Sequence, residues 1–148
     1  MQNKKQEMSR SESLGFILAH VAIFVVFVWF GALKVFGLSP ATPLVIALCQ
    51  MTLPFFDPNT FVAWFGAFEV FIGICFVFPR LNRLGLLLLI PHIFTTVLPL
   101  ILLPEMVWTA PFVPTLEGQY IVKNLAIVAL AISLFADMKK TMNFSKLA

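Results

Sequence analysis

In lipid, every backbone N–H and C=O has to find its partner inside the protein, so an apolar stretch that crosses a bilayer as a single segment does so as a helix. A hydrocarbon core of about 30 Å takes about 20 helical residues to cross. The 148-residue chain carries four such stretches, Leu14–Gly37, Thr60–Phe78, Arg83–Leu103 and Gln119–Ala136. They predict an all-α integral membrane four-helix bundle. Composition agrees: 60% of residues are hydrophobic, 11% are charged and the mean hydropathy is +0.97. The domain reading is a polar segment 1–13, a four-span membrane domain 14–137 and a basic tail 138–148. The first run is too long for the core of a cleavable signal and no small-residue cleavage site follows it, which predicts a retained signal anchor.

The loop charges predict the direction of the spans. Lys4, Lys5 and Arg10 precede the first, Arg80 and Arg83 bracket the turn between the second and third, and Lys139, Lys140 and Lys146 follow the fourth. The other two loops, Leu38–Asn59 and Pro104–Gly118, contain no Lys or Arg. The positive-inside rule then places both termini in the cytoplasm. The net charge of +3 flanks apolar spans and forms no patch of its own, so no nucleic-acid partner is expected. Cys49 and Cys75 make neither a disulfide framework nor a thiol relay.

Local signals refine the spans. Ser9-x-x-Glu12 reads as a capping box before the first span, and Asp57-Pro58 as the start of the second. Pro91 and Pro99 predict a bent third span. The apolar run Pro43–Met51 is too short to cross and predicts an interfacial or re-entrant helix in the first outer loop. Trp108 reads as an interface anchor in the second.

Charged groups inside spans are costly, rare and turned toward protein or a watery cavity. Lys34, Glu69, Lys123 and, at a span end, Asp137 are the charges to explain, together with His20 and His92. Helical spacing gathers His20, Phe27, Phe30, Gly31 and Lys34 on one stripe, and Gly66, Glu69 and Gly73 on another. Gly85, His92, Thr95, Thr96 and Pro99 share a third stripe; Lys123, Ala126, Leu130 and Asp137 roughly align on a fourth. Small residues mark close helix approach in lipid, so Glu69 is expected on a packed face. Its depth is about 13 Å below the outer end of its span, at about 1.5 Å per residue. Either Lys34 or Lys123 can reach it by its stem, or both lysines snorkel to the outer surface. Glu69, His92, Lys34 and Lys123 are the candidates for ligand binding or proton relay, with a structural ion pair as the plain alternative. For His92, Thr95 and Thr96 the plain alternative is repair of the backbone around the two prolines. No metal centre is expected; haem held by His20 and His92 is an alternative resting on two histidines without a motif.

Three segments resemble the DoxX-like family of small bacterial membrane proteins. Trp29-Phe30-Gly31-Ala32-Leu33-Lys34-Val35-Phe36 is similar to its W-x-G-x-x-K-F pattern. Phe68-Glu69-Val70-Phe71-Ile72-Gly73 is similar to its E-x-x-x-G element. Glu117-Gly118-Gln119-Tyr120-Ile121-Val122-Lys123-Asn124-Leu125 is similar to its G-R-F-x-x-K-D-L segment, with Gln119 where the family often has Arg and Asn124 where it often has Asp. The resemblance implies a multi-pass bacterial inner-membrane protein and a redox-associated, quinone-linked membrane subunit. It also implies a membrane redox complex or homo-oligomer as partner, beside the lipid bilayer. A carrier or channel for a small solute or proton, and a non-catalytic assembly subunit, are the competing functions.

Overall fold

The computed structural model describes the backbone of residues 2–78 and 80–145 and the side chains of residues 14–78 and 80–135. Seven helices and one short hairpin follow in order among them. Helix α1 (Gln2–Val35) holds the first span. Helix α2 (Thr42–Thr52) is the short helix expected over Pro43–Met51. Helix α3 (Pro58–Val77) is the second span. The third span is divided into α4 (Asn82–Val97) and α5 (Pro99–Leu102). A one-turn helix α6 (Pro104–Val107) leads into strands β1 (Trp108–Ala110) and β2 (Val113–Pro114), which pair antiparallel. Helix α7 (Leu116–Ser145) carries the fourth span. Four of these stretches are long and apolar enough to cross a membrane: Leu14–Val35, Pro58–Val77, Asn82–Leu102 and Leu116–Phe135.

The boundaries follow from local chemistry, with one correction. Ser9-x-x-Glu12 does not open a helix; it lies inside α1, which already runs from Gln2. The polar stretch before the span contains no Gly or Pro, so nothing in it stops a helix from extending beyond the apolar run. At its other end α1 closes on Gly37, at φ +70°. Leu38 N–H donates to Leu33 O at 2.7 Å and Gly37 N–H to Lys34 O at 3.1 Å, the paired bonds of a Schellman motif. Asp57 does cap α3: its carboxylate accepts from Thr60 N–H at 2.7 Å, with Pro58 in the first turn. Hydrogen bonding by Thr60 holds the Asp57 carboxyl below its ordinary range.

Pro91 stays inside α4, whereas Pro99 ends it. Lacking an N–H, Pro99 gives nothing back to the preceding turn, and a new one-turn helix starts there. Thr95 Oγ1 donates to Pro91 O at 2.8 Å and Thr96 Oγ1 to Ile93 O at 3.0 Å, so both hydroxyls serve their own helix. The second loop carries more structure than its prolines suggest: its hairpin turns at Phe112, which adopts φ +61°. Trp108, expected as an interface anchor, also donates its indole N–H to Leu100 O at 3.1 Å.

Packing is organised by α1 against α3. Ala19, Ile23 and Phe27 of α1, Ile72 and Phe76 of α3, Leu89 of α4, and Ala131 and Leu134 of α7 form one buried cluster. The outward faces stay apolar, with Trp64 at 68%, Leu125 at 73% and Ile90 at 67% exposure, as befits helices whose solvent is lipid tails. Gly31 and Gly66 set the closest approach: a methyl on Gly31 would lie 2.6 Å from Gly66 O, and one on Gly66 2.5 Å from Gly31 O. By contrast, a methyl on Gly15 meets nothing within 4 Å. Gly15→Ala is therefore expected to leave detergent-resistant folding unchanged or raise it by up to about 1 kcal/mol, through helix propensity alone, in an unfolding titration followed by tryptophan fluorescence.

Candidate functional site

The glycine crossing places the buried charges. Lys34 lies three residues beyond Gly31 on α1, and Glu69 three beyond Gly66 on α3. The two spans run antiparallel, and helical side chains lean toward the N-terminus of their own helix. Lys34 and Glu69 therefore lean toward each other across the gap that the glycines open. Lys34 Nζ donates to Glu69 Oε2 at 2.5 Å. The pair is shielded from solvent, with side-chain exposures of 7% and 9%, so a charge-assisted bond in a low dielectric links the two helices.

His92 joins from α4. Its Nε2 lies 3.8 Å from Glu69 Oε1, the carboxylate oxygen that Lys34 does not use. That separation is too long for a hydrogen bond; it sets the imidazole beside the carboxylate without bonding it. Aromatic rings fix the imidazole: Phe65 stacks on it at 5.2 Å and 22°, and Phe27 meets it edge-on at 5.1 Å. Lys34 Nζ also lies 5.8 Å from the centre of the Phe65 ring. On the far side of the imidazole, Nδ1 is buried and has no hydrogen-bond partner among the described residues. Buried polar atoms are nearly always bonded to protein, water or ligand, which makes this nitrogen the open valence of the cluster.

Three of the four sequence candidates thus meet: Lys34, Glu69 and His92. Lys123 does not. It is exposed on α7, with its ammonium 5.1 Å over the Tyr120 ring; of the two lysines in reach of Glu69, only Lys34 takes it. Glu105 and Glu117 are exposed as well. Thr95 and Thr96 donate to Pro91 O and Ile93 O, whereas the carbonyls that Pro91 and Pro99 deprive of an i−4 partner are those of Leu87 and Thr95; neither hydroxyl repairs the backbone there. The side chain of Asp137 lies outside the described residues.

His20 belongs to a separate polar layer. Its Nδ1 lies 2.9 Å from Phe16 O and its Nε2 3.0 Å from the amide of Asn82. Asn82 is almost fully buried at 1% exposure, and its amide also lies 3.1 Å from Cys75 O and 3.3 Å from Phe78 O. Asn82 and His92 are ten residues apart on α4, or about 15 Å along a helix. Protein groups occupy both ring nitrogens of His20, and the two histidines sit at different levels, so the haem pair is not assembled. Asn82 escaped sequence reading because it stands beside Arg83 at the mouth of a turn, where an Asn ordinarily reads as a loop residue. Ile23, Phe27, Ile72, Phe76 and Leu89 fill the level between the two layers.

Comparison with known proteins adds no relative: no family model, curated protein or solved structure matches the chain.

Proposed function

We propose that this chain is a DoxX-like, redox-associated membrane subunit whose Lys34–Glu69–His92 cluster receives the polar head of a quinone. The single observation that carries the reading is His92: clamped between aromatic rings, with Nε2 toward Glu69 and Nδ1 buried without a partner among the described residues. A quinone supplies two-electron, two-proton chemistry when bound, and the electrons come from a partner oxidoreductase. His92 Nδ1–H donates to a carbonyl oxygen and fixes the orientation of the head. Phe65 and Phe27 hold the imidazole in one rotamer, which lowers the entropy lost on binding. Glu69 Oε1 lies 3.8 Å from Nε2 and makes no hydrogen bond with it, which leaves the tautomer protonated at Nδ1 available to the ligand. Lys34 keeps the carboxylate compensated in lipid.

The setting belongs to the same proposal: a bacterial inner membrane, both termini cytoplasmic and the cluster in the outer half, as the one-sided Lys and Arg of the loops support. The apolar level between the two polar layers speaks against a proton or solute path through one protomer, since conduction needs a continuous chain of polar groups or water.

The test is binding of a short-chain ubiquinone analogue to the purified protein. His92→Phe keeps the aromatic packing and removes Nδ1. It is expected to weaken binding about tenfold, the equivalent of about 1.4 kcal/mol and one buried hydrogen bond. Equal affinity in both proteins, or no binding to the wild type, would sink the reading and leave the cluster as a structural tie of an assembly subunit.

A further inference from the structure

We infer that the hairpin of β1 and β2 is a lipid-docking element, and that Phe112 at its tip sits in the headgroup–acyl boundary of the bilayer beside the end of the third span. The inference needs only the membrane-spanning reading of the helices and is independent of the Lys34–Glu69–His92 cluster.

Two observations set Phe112 apart. It holds φ +61°, a left-handed backbone that favours glycine and is unfavourable for a bulky side chain. It is also 94% exposed, so no packing within this chain offsets that conformation.

A backbone outlier persists where its surroundings over-determine it, and the base of the hairpin does so. Thr115 N–H donates to Val107 O at 2.9 Å, and Thr115 Oγ1 donates to Met106 O at 2.8 Å. The same hydroxyl accepts from Gly118 N–H at 3.2 Å. A methyl on Gly118 would collide with Val107 O, so the base of the hairpin lies directly on the first turn of α7. Thr109 Oγ1 donates to Val113 O at 3.0 Å and ties the two strands together. The hairpin is thus a rigid mount that presents Phe112 in one place, with little conformational entropy left to lose on docking.

The surroundings select lipid as the occupant. Residues 106–116 contain no charged side chain. Both ends of the hairpin are tied to apolar, lipid-facing positions of the spans. Trp108 donates its indole N–H to Leu100 O at 3.1 Å, beside Ile101 at 74% exposure, and β2 runs into Leu116 at 60%. Indole rings settle at the membrane–water interface, which sets the base of the hairpin at that level. A phenyl ring held in water is unfavourable, whereas the headgroup–acyl boundary takes in the apolar side chains of interfacial elements. A soluble protein is the weaker fit, because the hairpin has no charge with which to steer or orient a partner.

The test places a nitroxide at position 112 of the full chain (Phe112→Cys, with the buried Cys49 and Cys75 both changed to Ala) in vesicles of phosphatidylcholine and phosphatidylglycerol. Collision rates are measured with oxygen, which dissolves in lipid, and with a neutral nickel chelate, which stays in water. The label is expected to meet oxygen more often than the chelate by about threefold or more, and a label at Glu105→Cys in the same background to show the reverse order. Phe112→Trp in a Trp29→Phe/Trp64→Phe background repeats the measurement with an aromatic ring in place of the nitroxide. Phospholipids brominated near the headgroup are expected to quench about half or more of the emission that this substitution adds. Collisions dominated by the chelate at position 112 would put the tip in water. A label shielded from both reagents, or broadened by a label on a second copy, would put it against protein. Either result overturns the inference, as does an added emission that brominated lipid leaves unquenched.

Discussion

Replacing Lys34 with Met is expected to destabilise the bundle by about 3–5 kcal/mol, because it leaves the Glu69 carboxylate buried without its cation. Glu69 is 6% exposed and Lys34 7%, and neither has an aqueous refuge while the Gly31–Gly66 contact holds α1 and α3 together. Glu69→Leu alone should be costly for the same reason, since it strands the ammonium. The Lys34→Met/Glu69→Leu double variant should recover most of the loss, because a well-packed apolar pair replaces a buried ion pair at little or no net cost. The coupling energy of this cycle, measured by unfolding in mixed micelles, is the stability change of the double variant less the sum of the changes in the two single variants. Single variants that each cost under about 1 kcal/mol would mean that the pair is solvated, as surface ion pairs are.

The second large effect belongs to Gly66. A methyl group there would lie 2.5 Å from Gly31 O, 2.7 Å from Lys34 Cβ and 3.1 Å from Val35 N. Two of those atoms are backbone and cannot step aside, so the helices have to separate. Gly66→Ala is expected to cost about 1–3 kcal/mol by overpacking, and Gly66→Leu more. The diagnostic readout is coupling rather than stability alone. In a Gly66→Ala background the Lys34/Glu69 coupling energy should fall by at least half, because the donor and acceptor are carried apart with their helices. Unchanged coupling would show that the ion pair does not depend on the glycine crossing.

The contrast between Glu69 and Lys123 shows what a sequence can carry. Glu69 sits between Gly66 and Gly73 at helical spacing, and small residues beside a charge inside a span give an inward direction. Lys34 lies one turn beyond Gly31 for the same reason. Lys123 has Ala126 but no glycine at that spacing, and its long stem leaves its direction open; the fold turns it outward over Tyr120. His92 was legible as an intramembrane imidazole but not as a neighbour of Glu69, since that contact depends on how α4 is rotated against α3. The Asn82–His20 contact joins residues 62 apart in the chain; the hairpin is local, but it turns on a positive φ at Phe112, where neither Gly nor Asn marks it. The four spans were readable because length and hydropathy alone dictate them. Their ends were less so, because a helix with no breaker runs on past the lipid boundary, as α1 does.

The proposed quinone site turns on the open nitrogen of His92 meeting a ligand. The chain has two histidines, His20 and His92, so 15N NMR of histidine-labelled protein resolves both, and a His20→Gln variant assigns them. On addition of a short-chain ubiquinone analogue, the Nδ1 resonance of His92 is expected to move while both nitrogens of His20 stay in place. A spectrum in which His92 does not respond, or in which both histidines shift alike, would show that this nitrogen does not receive the quinone.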